Sequence, residues 1–304
     1  MHPDLHLDKP PPLRTPAMIL AWGGWSDAGS AATHGLRTLA NAIDAQPCGS
    51  IDPENYYDFS VTRPFARYRN GEREIVWPST DFYYGAPAEA DRDLGIAIGS
   101  EPANRWRSYM EALFDGVEAF GTELVISLAA VAAPVPHTRP VVVWGAANTA
   151  ELAEKHNMHP PAYEGPTGIV GVFHDYCRRK NVGAISLWAS VPHYLGDTTN
   201  PVGSLALLER LQKVLDLSLP LAGLRSEISL FQEQVDRAIA RDDDLASYVR
   251  RLESSGSQLA SFEPLASRSE ELPPAESLIE DLEQFLRGTQ QDGSSPQEGE
   301  PRGG

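Results

Sequence analysis

Polar side chains able to do chemistry stand at four places where an apolar run gives way to a loop. These are Ser26 and Asp27 after the pair Gly23-Gly24, Ser100 with Glu101, His137 near Arg139, and His193 with Tyr194. In an open α/β sheet, ligands bind beyond the carboxyl ends of the strands, so these ten residues form a candidate pocket if the loops share one edge. A glycine pair lets the backbone approach a ligand closely. The free N–H groups of a following helix favour a phosphate or carboxylate by about 0.3–1 kcal/mol. Ser26 or Asp27, however, occupies the position of a helix cap, and a capping side chain takes those donors itself. Two readings stand at this turn: an anion site, or a capped, tightly packed turn. It is neither a Walker A loop nor a dinucleotide fingerprint.

Other chemistries fit less of the sequence. Gly24-Trp25-Ser26-Asp27-Ala28 falls one residue short of a nucleophile elbow, with alanine for the last glycine, and His174 and His193 follow as triad candidates. His156, His159, Glu164 and His174 can be drawn as a metal site, but no His-Glu-x-x-His pattern supports it and Pro160-Pro161 makes the region a loop; no metal is expected. No cofactor motif is found. Cys48 and Cys177 are the two cysteines, read as ordinary thiols in a reducing, cytoplasmic compartment.

To bring the four loops together the chain must alternate strands with helices. Met18-Ile19-Leu20-Ala21-Trp22 is a short apolar run of the buried-strand type, and a helix is expected over about 27–42. Strands are expected at 52–58 and 74–77, with Asn70-Gly71 as a hairpin turn because both residues tolerate positive φ. A strand at 94–98 leads into a helix over about 104–120, where Trp106, Tyr109, Leu113 and Val117 recur at helical spacing. Strands at 123–130 and 140–144, a helix from Gly165-Pro166-Thr167-Gly168 to about 180, a strand at 183–191 and a helix over 204–217 complete the pattern. It predicts an α/β fold, a mainly parallel sheet with helices on both faces, over a core domain of 17–222.

Residues 1–16, with five prolines, read as an extended arm, and order is expected from about Ala17. From 223 to 287 strands vanish and a helical appendage is expected, striped by Ile228, Phe231, Val235, Ile239, Leu245, Tyr248 and Leu252. Asp242-Asp243-Asp244 lacks calcium-loop spacing and reads as an exposed helix joint. A break at Pro273-Pro274 precedes a short helix over 275–286, and 288–304 reads as a disordered tail.

Composition closes off further classes. In 304 residues, 42 acidic side chains against 25 basic ones give a formal charge of −17, which repels nucleic acid and anionic lipid. No run approaches the roughly 20 apolar residues needed to span a bilayer, and the polar start has no signal-peptide segment. Neither nucleic acid nor membrane is expected as a partner.

Six ordered blocks carry a resemblance. They are Leu20-Ala21-Trp22-Gly23-Gly24-Trp25-Ser26-Asp27-Ala28-Gly29, Tyr57-Asp58-Phe59 with Arg63-Pro64, Ile75-Val76-Trp77-Pro78, Gly99-Ser100-Glu101-Pro102, Pro136-His137-Thr138-Arg139-Pro140, and Ser186-Leu187-Trp188-Ala189-Ser190-Val191-Pro192-His193-Tyr194. Together, across about residues 15–250, they resemble the proteasome assembly chaperone 2 family, in particular its branch in high-GC Gram-positive bacteria. The resemblance implies a fold similar to nucleoside phosphorylases and related hydrolases. It further implies a non-catalytic protein-interaction module, homo-oligomeric and by preference trimeric, with proteasome subunits as a second partner. Family members that dock on proteasome pockets use a hydrophobic-Tyr-x tail; this sequence ends Glu300-Pro301-Arg302-Gly303-Gly304, which argues against that mode. The alternative is an enzyme or sensor with a phosphorylase-like pocket, in which Glu101 serves as base and Arg139 clamps an anion during cleavage of an N-glycosidic bond.

Overall fold

The computed structural model describes residues 1–254 except Lys9, Asn70, Glu89 and 160–163. Its strands are β1 (Leu5–Leu7), β2 (Ala17–Gly23), β3 (Gln46–Ile51), β4 (Phe65–Arg69), β5 (Glu72–Val76), β6 (Thr80–Gly85), β7 (Leu94–Ser100), β8 (Leu124–Ala133), β9 (Val143–Ala147) and β10 (Gly183–Pro192). Its helices are α1 (Ala31–Ala42), α2 (Trp106–Ala119), α3 (Ala150–His156), α4 (Ile169–Arg179), α5 (Pro201–Leu215), α6 (Ala222–Ile239) and α7 (Asp243–Ser254).

Eight strands form one sheet in the order β1-β3-β6-β7-β2-β8-β10-β9. The four at its centre, β7, β2, β8 and β10, run parallel, and the strands outside them pair antiparallel. Because side chains alternate along a strand, β2 feeds two cores at once. Ala17, Ile19 and Ala21 meet α1 and α5 on one face, whereas Met18, Leu20 and Trp22 meet α2 and α4 on the other. An apolar run buried on both faces is what a central parallel strand requires. The α/β fold with helices on both faces is the one expected.

Three local expectations differ. Residues 52–58 turn instead of extending: the Asp52 carboxylate accepts the Glu54 amide at 2.9 Å, and the Pro53 carbonyl accepts the amides of Tyr56 and Tyr57. The strand lies just before, at β3, where Pro47, Gly49 and a register shift between them hide the usual β signal. The arm is ordered earlier than Ala17, since β1 pairs with β3 and buries Leu5. The strand expected at 140–144 is β9, shifted to 143–147, where Trp144 stacks on its cross-strand partner Trp188 at 5.3 Å. The hairpin turn is where it was expected, with Arg69 opposite Glu72 and Gly71 at φ +86°.

After α5 the chain is helical, as its stripe predicts. Phe231, Val235 and Ile239 of α6 and Val249 of α7 bury against Tyr194, Leu195 and Val202. The acidic run falls at the α6–α7 joint, with the Asp242 carboxylate accepting the Leu245 amide at 2.9 Å. The expected helix over 275–286 and tail over 288–304 lie outside the described residues.

Candidate functional site

All four loops emerge at the carboxyl ends of the central parallel strands, but their side chains form two groups. The first surrounds the Gly-rich turn. Gly23 ends β2 and its carbonyl accepts the Glu101 amide at 2.8 Å, tying the turn to the loop after β7. Gly24 has φ +130°, and a Cβ there would lie 3.2 Å from the Cβ of Glu101, so both conformation and space call for glycine. Trp25 is 69% exposed. Ser26 is buried; its carbonyl accepts the Ala130 amide at 2.8 Å, and its Oγ has no hydrogen-bond partner among the described residues.

Asp27 decides between the two readings of the turn. Its Oδ1 accepts the amides of Ala32 at 2.7 Å and Thr33 at 3.3 Å, and its Oδ2 accepts the Thr33 hydroxyl at 2.5 Å. A short 3-10 turn, Ala28–Ser30, sets the carboxylate over the first turn of α1. The donors that would have held an anion are taken by the chain's own carboxylate. Burial pushes the Asp27 carboxyl upward, more than the hydrogen bonds from Thr33 and the two amides pull it down. Glu101 does for α4 what Asp27 does for α1. Its Oε1 accepts the Ile169 amide at 2.8 Å, in a helix whose cap residue, Gly168, has no side chain to offer.

Beneath the turn runs a buried chain of hydroxyls that the sequence reading missed. The Trp22 indole donates to Tyr109 Oη at 2.8 Å, Tyr109 Oη lies 2.6 Å from Thr80 Oγ1, and the Tyr57 hydroxyl donates to the Ser100 carbonyl at 2.9 Å. Burial raises the phenols of Tyr57 and Tyr109. In the sequence Tyr109 is one position of a helical stripe, Trp22 the end of an apolar run and Ser100 a candidate pocket residue, with nothing in their spacing to say that this hydroxyl chain gathers them around Thr80.

The second group holds the helical hairpin to the core. His137 Nε2 lies 3.1 Å from the Asp236 carboxylate, which can only accept, so this nitrogen carries the proton. His137 Nδ1 then accepts from the Tyr194 hydroxyl at 2.8 Å, and that hydroxyl accepts the His137 amide at 2.7 Å. His193 Nδ1 donates to the Ala133 carbonyl at 3.1 Å, leaving Nε2 to accept from the Tyr248 hydroxyl at 3.3 Å. Arg139 donates to the Glu253 carbonyl, and Thr138 to the Glu253 carboxylate at 2.6 Å. Burial raises the Tyr194 phenol. Asp236, Tyr248 and Glu253 were not candidates, since nothing in their own spacing points to this joint.

Among the described residues no hydrogen bond or ion pair joins the two groups. Neither candidate histidine reaches Ser26: His193 is engaged as above, and His174 lies 3.0 Å from Ser127 in the core, where burial lowers its imidazole to about 4. Among the described residues no three His, Cys, Asp or Glu side chains stand together as a metal site. Cys48 and Cys177 are buried free thiols raised by burial to about 11 and about 12. A crevice of about 660 Å³ opens at the other end of the sheet, lined by Thr15, Ile43, Arg92 and Leu217. No described helix is long and apolar enough to cross a membrane.

The PAC2 family model matches residues 21–239, which include all ten candidate residues. The chain belongs to the PAC2 family. Among solved structures of the family, it is 40% identical to a PAC2 family protein from Streptomyces avermitilis, covering 77% of this chain and 99% of that one with a TM-score of 0.71. It is 39% identical to a proteasome-assembly chaperone homologue from Mycobacterium tuberculosis, again over 77% of this chain and 99% of that one, with a TM-score of 0.69. An archaeal proteasome activator from Pyrococcus furiosus, 19% identical over 77% of this chain and 97% of its own, shares the fold with a TM-score of 0.61. No curated protein matches. Membership of PAC2 supports a chaperone-like role.

Proposed function

We propose that this PAC2 protein is a non-catalytic protein-interaction module of the assembly-chaperone kind, acting in the cytoplasm as a homo-oligomer, with a trimer preferred and proteasome subunits as its further partner. The observation that carries this reading is the 39% identity to the Mycobacterium tuberculosis chaperone homologue along 99% of that chain. The state of the candidate side chains agrees with it. Asp27 and Glu101 cap helices, and His137, Arg139, His193 and Tyr194 bind the helical hairpin, so each already has structural work. Affinity capture of the full chain from cells that contain a proteasome tests the reading. Proteasome subunits are expected in the eluate well above a tag-only control, and their absence at endogenous expression overturns the assignment.

One observation favours a second reading, an enzyme or sensor with a phosphorylase-like pocket. Ser26 Oγ is buried without a partner among the described residues, and a Cβ at Gly168 would lie 3.2 Å from both it and Glu101 Oε1. A buried hydroxyl left unpaired costs about 1–3 kcal/mol, and a polar ligand would relieve that cost. Thermal shift with nucleosides, purines and phosphate discriminates the two. A raised midpoint that Glu101→Gln abolishes supports the pocket, and no shift with any of them removes it.

A further inference from the structure

Among the described residues the most exposed element is the β4–β5 hairpin, a two-stranded sheet of its own. All of its residues but Val76 are exposed among those described. Directly opposed residues of an antiparallel pair share a face. Phe65, Arg67 and Arg69 therefore lie on one face with Val76, Glu74 and Glu72, and there Arg67 pairs with Glu74 at 2.9 Å. Ala66 and Tyr68 lie on the other with Ile75 and Arg73, and Trp77 continues that face by alternation. Tyr68 is 76% exposed, Trp77 50% and Ile75 40%. Trp77 meets Phe59 edge-on at 4.9 Å.

A free two-stranded hairpin is marginally stable in water, and both its outer edges offer unpaired backbone groups. Contiguous aromatic surface of this sort marks an interface. The charge of the hairpin says what covers it. Residues 65–76 hold three arginines and two glutamates, a net +1, in a chain of −17, so the rest of the molecule carries −18. Two copies of such a chain repel over most of their surfaces, and the hairpin is where that repulsion is inverted.

We propose that the β4–β5 hairpin is the arm by which one copy of this chain docks on the acidic body of a second copy, its Tyr68–Ile75–Trp77 face buried in the contact and Arg73, on that same face, meeting a carboxylate. This rests on the homo-oligomer reading above and names its surface. Arm and body are different patches, so the contact is heterologous: it closes as a ring, or as a dimer when two arms are exchanged.

Light scattering during size exclusion of the full chain tests this, with wild type beside Arg73→Glu and Tyr68→Ser/Ile75→Ser. Wild type is expected at a multiple of 33.1 kDa. Both variants are expected at the single-chain mass with unchanged circular dichroism, and salt should shift wild type toward that mass. Variants that keep the wild-type mass overturn the arm and leave the homo-oligomer standing. Wild type at the single-chain mass at every concentration overturns both, including where the hairpin instead captures a different protein. Should a variant misfold, amide exchange of wild type decides: β4 and β5 are expected to be protected in the assembly and to lose protection on dilution, and equal exchange at both concentrations overturns the proposal.

Discussion

At the scale of single residues, two buried groups control how the protein responds to mutation and pH. Asp27 supplies three hydrogen bonds to the first turn of α1, so Asp27→Ala is expected to lower stability by about 1–2 kcal/mol, read as a drop in the denaturation midpoint. A midpoint within error of wild type would mean that the cap carries no weight. His174 is held neutral in the core with its imidazole lowered to about 4, against about 6.5 for a free histidine, because burial outweighs its backbone hydrogen bond with Ile185. The unfolded chain takes up this proton first as pH falls, so stability is lost through the window from about 6.5 to 4 and the loss ends once the folded state also protonates. The span corresponds to about 3 kcal/mol. Urea melts at pH 7 and pH 4.5 are expected to show that slope in wild type and a shallower one in His174→Gln; parallel slopes would assign the acid sensitivity to other groups.

At the scale of elements, the Tyr194 phenol orients the His137 ring that meets Asp236 across the joint between the core and the α6–α7 hairpin. Tyr194 accepts the His137 amide and donates to its ring, and its own ring meets Tyr248 edge-on at 6.2 Å. Tyr194→Phe keeps the ring and removes both hydrogen bonds, so a loss of about 1–2 kcal/mol is expected, confined to this joint. Hydrogen exchange should speed up in α6 and α7 and remain unchanged in α1 and α2. A uniform change across the protein would show that the hairpin is not a separate cooperative element. The same joint explains why four of the candidate side chains are paired as they are. His137, Arg139, His193 and Tyr194 lie at the carboxyl ends of strands, where a pocket is expected from topology, yet the chain's own later helices supply their partners.

At the scale of the whole molecule, a charge of −17 sets the terms of association. If the acidic body and the basic hairpin meet between copies, assembly should weaken steeply between about 0.05 and 0.5 M salt, as sedimentation would register. Salt-independent assembly would point to an apolar contact elsewhere. Much of the architecture was legible beforehand because local patterns suffice for it. The buried run at β2, the stripe on α2, the Asn70-Gly71 reversal and the helical change after α5 each follow from periodicity or turn chemistry within a few residues. The strand at β3 was not legible, since Gln46-Pro47-Cys48-Gly49 has little β preference and is held by partners on both sides. At the candidate site the residue types and their common edge could be read from the order of strands and loops. Which of them touch could not: Glu101 meets Ile169 across 68 positions, His137 meets Asp236 across 99, and such pairs arise only when the sheet brings distant loops together. The sequence by itself determined the α/β layers, the Gly-rich turn and the sign of the surface charge, all set by short-range preference and composition. Only the tertiary structure decided that Asp27 and Glu101 are spent on helix caps and that the four residues after β8 and β10 form a joint, because hydrogen-bond partners are chosen by distance in space.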